Sequence, residues 1–217
     1  MARVIAVTGI DGSGKTTSAR NLQVSLENAG FTAEYKHQFD SVLARGLSRL
    51  RRLLPAKASE PLAIVHGEAA YDSRLRKPAL LKKFAAYFYL LLQAIGANRA
   101  RFAKPDFLVF DRYFYDDFVR FRQRYGIAER YFYFVEMLVP RPDLIVTLNG
   151  DVQKTYERQV DIDSSYETYL EKLDIHQSTM QKLVQLGFRT VEIDTTKSTP
   201  TDVLSEVMRA LKENMVV

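Results

Sequence analysis

A glycine-rich stretch near the amino terminus, residues 9–17, constrains this chain more than any other feature. It reads Gly-Ile-Asp-Gly-Ser-Gly-Lys-Thr-Thr and matches the pattern G-x-x-x-x-G-K-[ST]. The apolar run 4–7 precedes it, as a buried strand would, and a helical pattern follows that ends at Gly30. A strand, a glycine-rich turn and a helix N-terminus present backbone N–H groups and the positive end of a helix dipole to an anion. The stretch therefore predicts a phosphate-binding loop.

Each polar group of this loop has an expected role in holding a nucleoside triphosphate. Lys15 would reach the β- and γ-phosphates, and the Thr16 hydroxyl would hold Mg²⁺. The residues that we assign to nucleotide binding are Gly9, Asp11, Gly12, Ser13, Gly14, Lys15, Thr16 and Thr17.

Composition places the chain among ordinary folded proteins and excludes several kinds of site. The 217 residues are 47% hydrophobic and 26% charged, which suits one domain, residues 1–217. There is no cysteine, which excludes disulfides and thiolate metal sites, and the scattered His37, His66 and His176 do not suggest zinc. The first predicted strand leaves no room for a secretory signal, and the longest apolar stretch, 84–97, is too short to span a bilayer. We therefore expect a cytoplasmic protein.

The net charge of +5 favours anionic partners, which nucleotides satisfy as well as nucleic acid does. We expect no nucleic-acid partner, because no recognised binding module is visible. The densest basic run is either a wall of an acceptor-phosphate pocket or a solvated helix face; its members are Arg45, Arg49, Arg51 and Arg52.

Strand and helix patterns alternate along the chain, which predicts an α/β fold. The predicted strands cover residues 4–7, 32–37, 107–110, 144–148 and 188–193. Predicted helices cover 42–54, about 78–102, 116–124, 129–138, 151–159, 166–186 and a last one from Pro200. The strands are near-continuous apolar runs, so we expect burial on both faces of a parallel sheet. Ligands of such sheets bind at the carboxyl ends of the strands, where Asp11, Asp111 and Asn149 lie.

The run 107–111 consists of four apolar residues and a carboxylate, which is the Walker B pattern. It would place Asp111 beside the Mg²⁺ held by Thr16. Arg112 follows, where hydrolytic ATPases commonly have a glutamate that activates water. A guanidinium there suits clamping a second phosphate, as a phosphotransferase requires, although a structural ion pair with Asp111 is the alternative.

These motifs resemble the thymidylate kinase family of P-loop nucleoside monophosphate kinases. The resemblance rests on the loop with Asp11 at its third position, on Asp111-Arg112-Tyr113 and on a later helix with Arg158. It implies a three-layer P-loop fold with a five-stranded parallel sheet and a short lid near residues 150–165. It also implies transfer of the γ-phosphoryl group of MgATP to a nucleoside monophosphate, with dTMP the first expectation, in a homodimer. Asp11 would approach the acceptor and Arg112 would bind its phosphate.

The chain departs from the family pattern on the acceptor side. The usual arginine after the stretch 84–90 is missing, and Asp116, Asp117, Arg120 and Phe121 stand where serine, tyrosine and glutamine are favoured. Asn149 stands where aspartate is common. The loop carries Gly12-Ser13 without the arginine that some members have, so the lid must supply the catalytic arginine, and Arg158 is our candidate.

Several interpretations stay open at this stage. Phe84, Tyr87, Phe88 and Tyr89 either stack on a base or belong to the core, and the same helix would suit a dimer interface. His37 either meets an acceptor phosphate or is structural. The alternative functions are a kinase of the same fold acting on another small acceptor and a nucleic-acid-stimulated ATPase.

Overall fold

The computed structural model describes residues 2–37, 79–98, 102–159 and 165–213. Within these ranges five strands form one sheet in which all neighbours run parallel. Along the chain the strands are β1 (Arg3–Gly9), β2 (Ala33–His37), β3 (Phe107–Asp111), β4 (Leu144–Asn149) and β5 (Thr190–Asp194). Across the sheet the order is β2-β3-β1-β4-β5. The predicted five-stranded parallel sheet of a P-loop fold is thereby confirmed.

Helices connect the strands and cover both faces of the sheet. Those in the described ranges are α1 (Lys15–Asn28), α2 (Ala79–Ala97), α3 (Phe114–Tyr125), α4 (Glu129–Glu136), α5 (Val152–Glu157), α6 (Tyr166–Gln185) and α7 (Pro200–Lys212). None of these helices is both long and apolar enough to cross a membrane.

Local capping explains where two of these helices begin. At α7, Thr199 accepts a hydrogen bond from the Asp202 backbone N–H while the Asp202 carboxylate accepts from the Thr199 N–H, so the predicted start at Pro200 is confirmed. Helix α3 begins two residues before the predicted position. The Asp116 carboxylate accepts a hydrogen bond from the Tyr113 N–H and so caps a helix that starts at Phe114.

Each face of the sheet carries its own hydrophobic core. Val4 and Ala6 of β1 pack in a core with residues of α2, α3 and α4. Ile5 and Val7 point the other way and pack with residues of α1 and α7. Because side chains alternate along a strand, one apolar run supplies both cores and produces three layers.

The expectation that all strands are buried on both faces is correct for β1, β3 and β4 and wrong for β2 and β5. The three central strands are almost entirely buried. Strands β2 and β5 contain exposed and half-exposed residues, including Glu34 and Glu192. The reason is topological, because these two strands form the edges of the sheet.

Some sequence predictions lie outside the described residues. These are the helix 42–54, the arginine run from Arg45 to Arg52, His66 and residues 160–164 of the expected lid.

Candidate active site

The phosphate loop joins the end of β1 to the start of α1 at the carboxyl edge of the sheet. Its glycines allow close backbone contacts with other elements. A Cβ on Gly9, where φ is 154°, would lie 2.4 Å from the Leu148 carbonyl oxygen. A Cβ on Gly12, where φ is 83°, would lie 2.0 Å from the Thr155 carbonyl oxygen of α5. Glycine is therefore required at both positions for conformation and for space.

Lys15 is buried and turned back onto the loop. Its Nζ donates hydrogen bonds to the carbonyl oxygens of Gly9 at 2.9 Å and Ile10 at 2.6 Å. Burial lowers the pKa of Lys15, and the Asp11 carboxylate, 3.6 Å away, opposes that shift. The ammonium group thus lies inside the loop, close to where a triphosphate would enter.

Asp11 is the electrostatic centre of the site. Besides Lys15, its carboxylate pairs with Arg112 at 3.3 Å and with Lys172 of α6. Burial raises the pKa of Asp11, but the three cations outweigh it and hold that pKa well below its usual range. The carboxylate is therefore ionised, and the surroundings carry excess positive charge that suits phosphates.

Sequence reasoning missed Lys172, which lies 161 residues from Asp11 along the chain. The available signal was its spacing of four from His176 in the predicted helix, because residues four apart share a helix face. His176 is buried, with Nε2 3.3 Å from the Thr8 Oγ1 of β1, so that face is directed at the carboxyl end of the sheet.

Arg112 has a positive φ of 72°, the only such value among the described non-glycine residues. Its N–H donates to the Val7 carbonyl oxygen at 2.9 Å, and its guanidinium reaches Asp11. A left-handed conformation outside glycine costs roughly 1–3 kcal/mol and is concentrated at functional sites. The sequence left open a structural ion pair between Arg112 and its neighbour Asp111. The ion pair that the structure gives for Arg112 is with Asp11.

Asp111 ends β3 and is completely buried. One carboxylate oxygen, Oδ2, accepts from the Tyr35 hydroxyl at 2.7 Å and lies 2.9 Å from the His37 Nδ1. Burial raises the pKa of Asp111, but Thr16, Tyr35 and His37 together bring it below its usual value. Among the described residues no hydrogen-bond partner reaches the other oxygen, Oδ1.

That Oδ1 atom and the neighbouring Thr16 hydroxyl form a donor set that fits Mg²⁺. Magnesium prefers hard oxygen ligands and commonly takes one or two from protein, with the rest from phosphates and water. An ionised carboxylate with one unbonded oxygen beside the phosphate loop meets that requirement. His37 is held by Asp111, which agrees with its structural interpretation. No group of three or more His, Asp or Glu side chains that could hold a metal alone occurs in the described ranges.

A cleft with an empty volume of about 340 Å³ opens beside the phosphate loop. Its lining includes the cations Arg112 and Lys172, and also Asp117 and Arg120, which form an ion pair at 2.7 Å. The complete lining is Gly9, Ile10, Asp11, Arg112, Asp116, Asp117, Val119, Arg120, Lys172 and His176. Three of the four positions that depart from the family pattern after Tyr113 thus line this cleft, and the fourth, Phe121, is in the core.

The four aromatic residues of α2 do not line this cleft. Tyr89 is buried edge-on against Phe121, and Tyr87 packs on Tyr131. Phe84 and Phe88 are exposed, at 69% and 59%. The core interpretation holds for Tyr89, and the two phenylalanines form an open apolar face.

Arg158 immediately follows α5, the helix whose Thr155 carbonyl touches the phosphate loop. Its Cβ would lie 3.4 Å from a Cβ placed on Gly12. Asn149, at the end of β4, donates a hydrogen bond to Glu192 of β5. The tertiary structure therefore brings the start of Arg158 next to the loop, and the side chain of Asn149 is used in a bond to β5.

Comparisons with known proteins agree with this geometry. Residues 7–207 match the family model described as Thymidylate kinase. A probable thymidylate kinase of Methanosphaera stadtmanae is 29% identical over 207 residues, covering 94% of each chain. One of Methanococcus maripaludis is 26% identical, covering 97% of this chain and 96% of its own.

Solved structures with low sequence identity share the fold. A deoxyadenosine kinase from M. mycoides has a TM-score of 0.60 and 12% identity, covering 97% of this chain and 99% of its own. The YorR protein from Bacillus subtilis has a TM-score of 0.58 and 15% identity, covering 98% and 97%. Since the family model spans nearly the whole chain, the chain belongs to the thymidylate kinase family.

Proposed function

We propose that this chain transfers the γ-phosphoryl group of MgATP to the 5′-phosphate of dTMP, producing ADP and dTDP. The observation that supports this most directly is the cation cluster of Lys15, Arg112 and Lys172 around Asp11, at the junction of the phosphate loop and the cleft. Such a junction can hold two phosphate groups end to end. Phosphoryl transfer needs that alignment and positive charge, and little covalent chemistry from the protein.

The donor half of the site is assigned to the phosphate loop. Its backbone N–H groups would hold the triphosphate, and Lys15 would leave the Gly9 and Ile10 carbonyls to contact the β- and γ-phosphates. Thr16 and Asp111 would hold Mg²⁺, which when bound neutralises charge on the β- and γ-phosphates. Asp111 is suited to this role because Tyr35 and His37 already fix one of its oxygens.

The acceptor half is assigned to the cleft. Arg112 would bind the acceptor phosphate, because it lines the cleft and its guanidinium already pairs with the carboxylate of Asp11. Asp11 would hold the acceptor close to the loop. Arg158 would supply the remaining positive charge during transfer, because the loop itself carries Gly12-Ser13 and α5 lies against it.

We also infer a homodimer formed through α2. Phe84, Phe88 and Ile95 are 69%, 59% and 52% exposed and share one helix face. Three large apolar side chains on one open helix face are typical of a surface that is covered by a partner. A second copy of this chain is the partner that family membership suggests. A nucleotide kinase is expected to act in the cytoplasm.

An acceptor panel tests the proposed reaction. ADP formation by the purified protein is measured with MgATP and, separately, dTMP, dUMP, dCMP, dGMP, dAMP, thymidine or single-stranded DNA. We expect dTMP to give the highest kcat/KM and DNA to have no effect. Preference for another acceptor would reassign the substrate, and release of ADP that rises with DNA but ignores all monophosphates would refute the kinase.

Two variants and two controls separate chemistry from folding in this assay. Lys15→Ala and Arg112→Ala should each lower kcat/KM for dTMP by about 10³-fold or more. Lys197→Ala and Arg209→Ala remove equivalent charges that are 83% and 72% exposed, away from the cleft lining. These controls should retain the activity of the unmodified protein.

A further inference from the structure

Asp11 has more cationic partners than an isolated carboxylate needs. Its Oδ1 atom faces Lys15 at 3.6 Å and Arg112 at 3.3 Å, while Oδ2 accepts from Lys172. The three cations come from α1, from the residue after β3 and from α6. Asp11 is thus the point where three separate elements meet.

Two of these cations have other tasks under the proposed function. Lys15 would turn to the donor phosphates and Arg112 to the acceptor phosphate. Asp11 would then be a partly buried anion among phosphate groups, and repulsion would favour its displacement or protonation. Of the three cations that pair with Asp11, Lys172 is the one to which the proposed function assigns no phosphate.

Contacts on either side of Lys172 hold it in place. Three residues earlier, the Tyr169 hydroxyl donates to the Thr155 Oγ1 at 2.7 Å and so joins α6 to α5. Four residues later, His176 lies 3.3 Å from Thr8 of β1. All three share one helix face, so the turn that carries Lys172 is anchored to both α5 and the sheet.

We propose that Lys172 is a positioning residue that keeps Asp11 ionised and oriented toward the acceptor when substrates draw Lys15 and Arg112 away. This inference rests on the proposed function. Lys172 acts through Asp11 and needs no contact of its own with phosphate.

The first test is a double-mutant cycle with a conservative rescue. Lys172→Met should lower kcat/KM for dTMP by on the order of 10²-fold, and Lys172→Arg should restore most of it. The Asp11→Asn, Lys172→Met double variant should be no worse than Asp11→Asn alone, because both changes disable the same unit. Lys182→Met, on the same helix but paired with Glu129 outside the cleft, is the control and should be unaffected.

A pH profile supplies a readout that a purely structural role would not move. Besides its three cations, the ionisable groups that influence Asp11 or line the cleft with it are Tyr169 and His176 of α6 and Asp116, Asp117 and Arg120 of α3. Lys172 is the leading charge that lowers the pKa of Asp11 against the opposing effect of burial. The readout is the pH dependence of kcat at saturating MgATP and dTMP, because kcat reports the pKa values of the substrate-bound protein. Removing Lys172 should shift the acidic limb of kcat to higher pH, and Lys172→Arg should shift it back.

The outcomes distinguish this role from the proposed reaction. Unmodified protein that is inactive on every monophosphate would overturn the proposed reaction, and this role with it. If the unmodified protein is active, three results would overturn the role of Lys172 alone. These are a Lys172→Met variant as active as the unmodified protein, losses that multiply in the double variant, and an acidic limb that does not shift. Lys172→Gln, whose side chain stays polar, replaces Lys172→Met if the latter unfolds.

Discussion

The stability of this protein should depend on pH through one buried histidine. His176 is 2% exposed, its Nε2 lies near Thr8, and among the described residues its Nδ1 has no hydrogen-bond partner. Burial is the largest influence and lowers the pKa of His176 from 6.5 to about 4, and nearby Lys15 and Lys172 act in the same direction. The ring is therefore neutral in the folded protein at pH 5–7 and charged in the unfolded chain below pH 6.5.

The sign of the effect follows from the proton balance. Between pH 6.5 and pH 4 the unfolded chain binds a proton at His176 that the folded protein does not bind. Stability from this residue is therefore fully present above pH 6.5 and is lost as the pH falls. Each pKa unit corresponds to about 1.4 kcal/mol, so the loss is about 2 kcal/mol at pH 5 and approaches 3 kcal/mol at pH 4.

Substitution by glutamine isolates this contribution. His176→Gln keeps an amide that can bond to Thr8 and removes the titrating ring. Urea unfolding of both ligand-free proteins at constant ionic strength, followed by circular dichroism from pH 7.5 to pH 4.5, gives the free energy of unfolding at each pH. Carboxylates that titrate in both proteins cancel in the difference between them.

We expect the free energy of unfolding of the variant to rise relative to that of the unmodified protein as the pH falls, by about 2 kcal/mol between pH 7 and pH 5. A difference that does not change with pH would show that the His176 pKa is the same in the folded and unfolded states. That outcome would refute the inference that burial keeps this ring neutral.

Three further predictions concern Gly12 of the loop, Phe88 on the exposed face of α2 and Arg158 after α5. Gly12→Ala should lose about 1–3 kcal/mol of stability in urea unfolding and most of its kcat/KM, because the added Cβ collides with α5. Gly30→Ala is the control, since Gly30 has a similar φ of 88° but open space around it, and it should keep its activity. Phe88→Asp should convert the dimer to a monomer, as measured by light scattering. Val24 of α1 is also 53% exposed, and Val24→Asp should leave the dimer intact. If the unmodified protein is a monomer, the proposed interface is wrong. Arg158→Ala should lower kcat by on the order of 10³-fold with little change in the KM for ATP, and unchanged kcat in steady-state assays would remove Arg158 from catalysis.

Much of the fold was predictable because its signals are local. The central strands are five to seven residues long and are built around short apolar runs, and capping residues mark the start of α7. The edge strands were misjudged because they were taken as apolar runs, although Glu34, Lys36 and Glu192 interrupt their apolar residues, as is typical of strands with one solvated face. The start of α3 was placed late because the cap at Asp116 uses a reciprocal bond to Tyr113, which the apolar pattern does not reveal.

The candidate site was predictable where it consists of a continuous motif. The carboxyl ends of β1 and β3 are neighbours, and they bring together the residues of the two motifs, which are Lys15, Thr16, Asp111 and Arg112. The bonds from Tyr35 to Asp111 and from Lys172 to Asp11 were not predicted. Tyrosines and lysines are common on helices and edge strands, so their identity alone carries no information about their partners.

By itself, the sequence determined a phosphate loop between a strand and a helix, a carboxylate–arginine pair after another buried strand, and a parallel α/β architecture. Each follows from the conformational needs of residues that are adjacent in the chain. Only the tertiary structure decided which charges meet, because Arg112 and Lys172 reach Asp11 across 101 and 161 residues of chain. It also decided that Tyr89 is core while Phe88 is open to solvent, since the packing of α2 on α3 selects one face of a helix that is apolar on several sides.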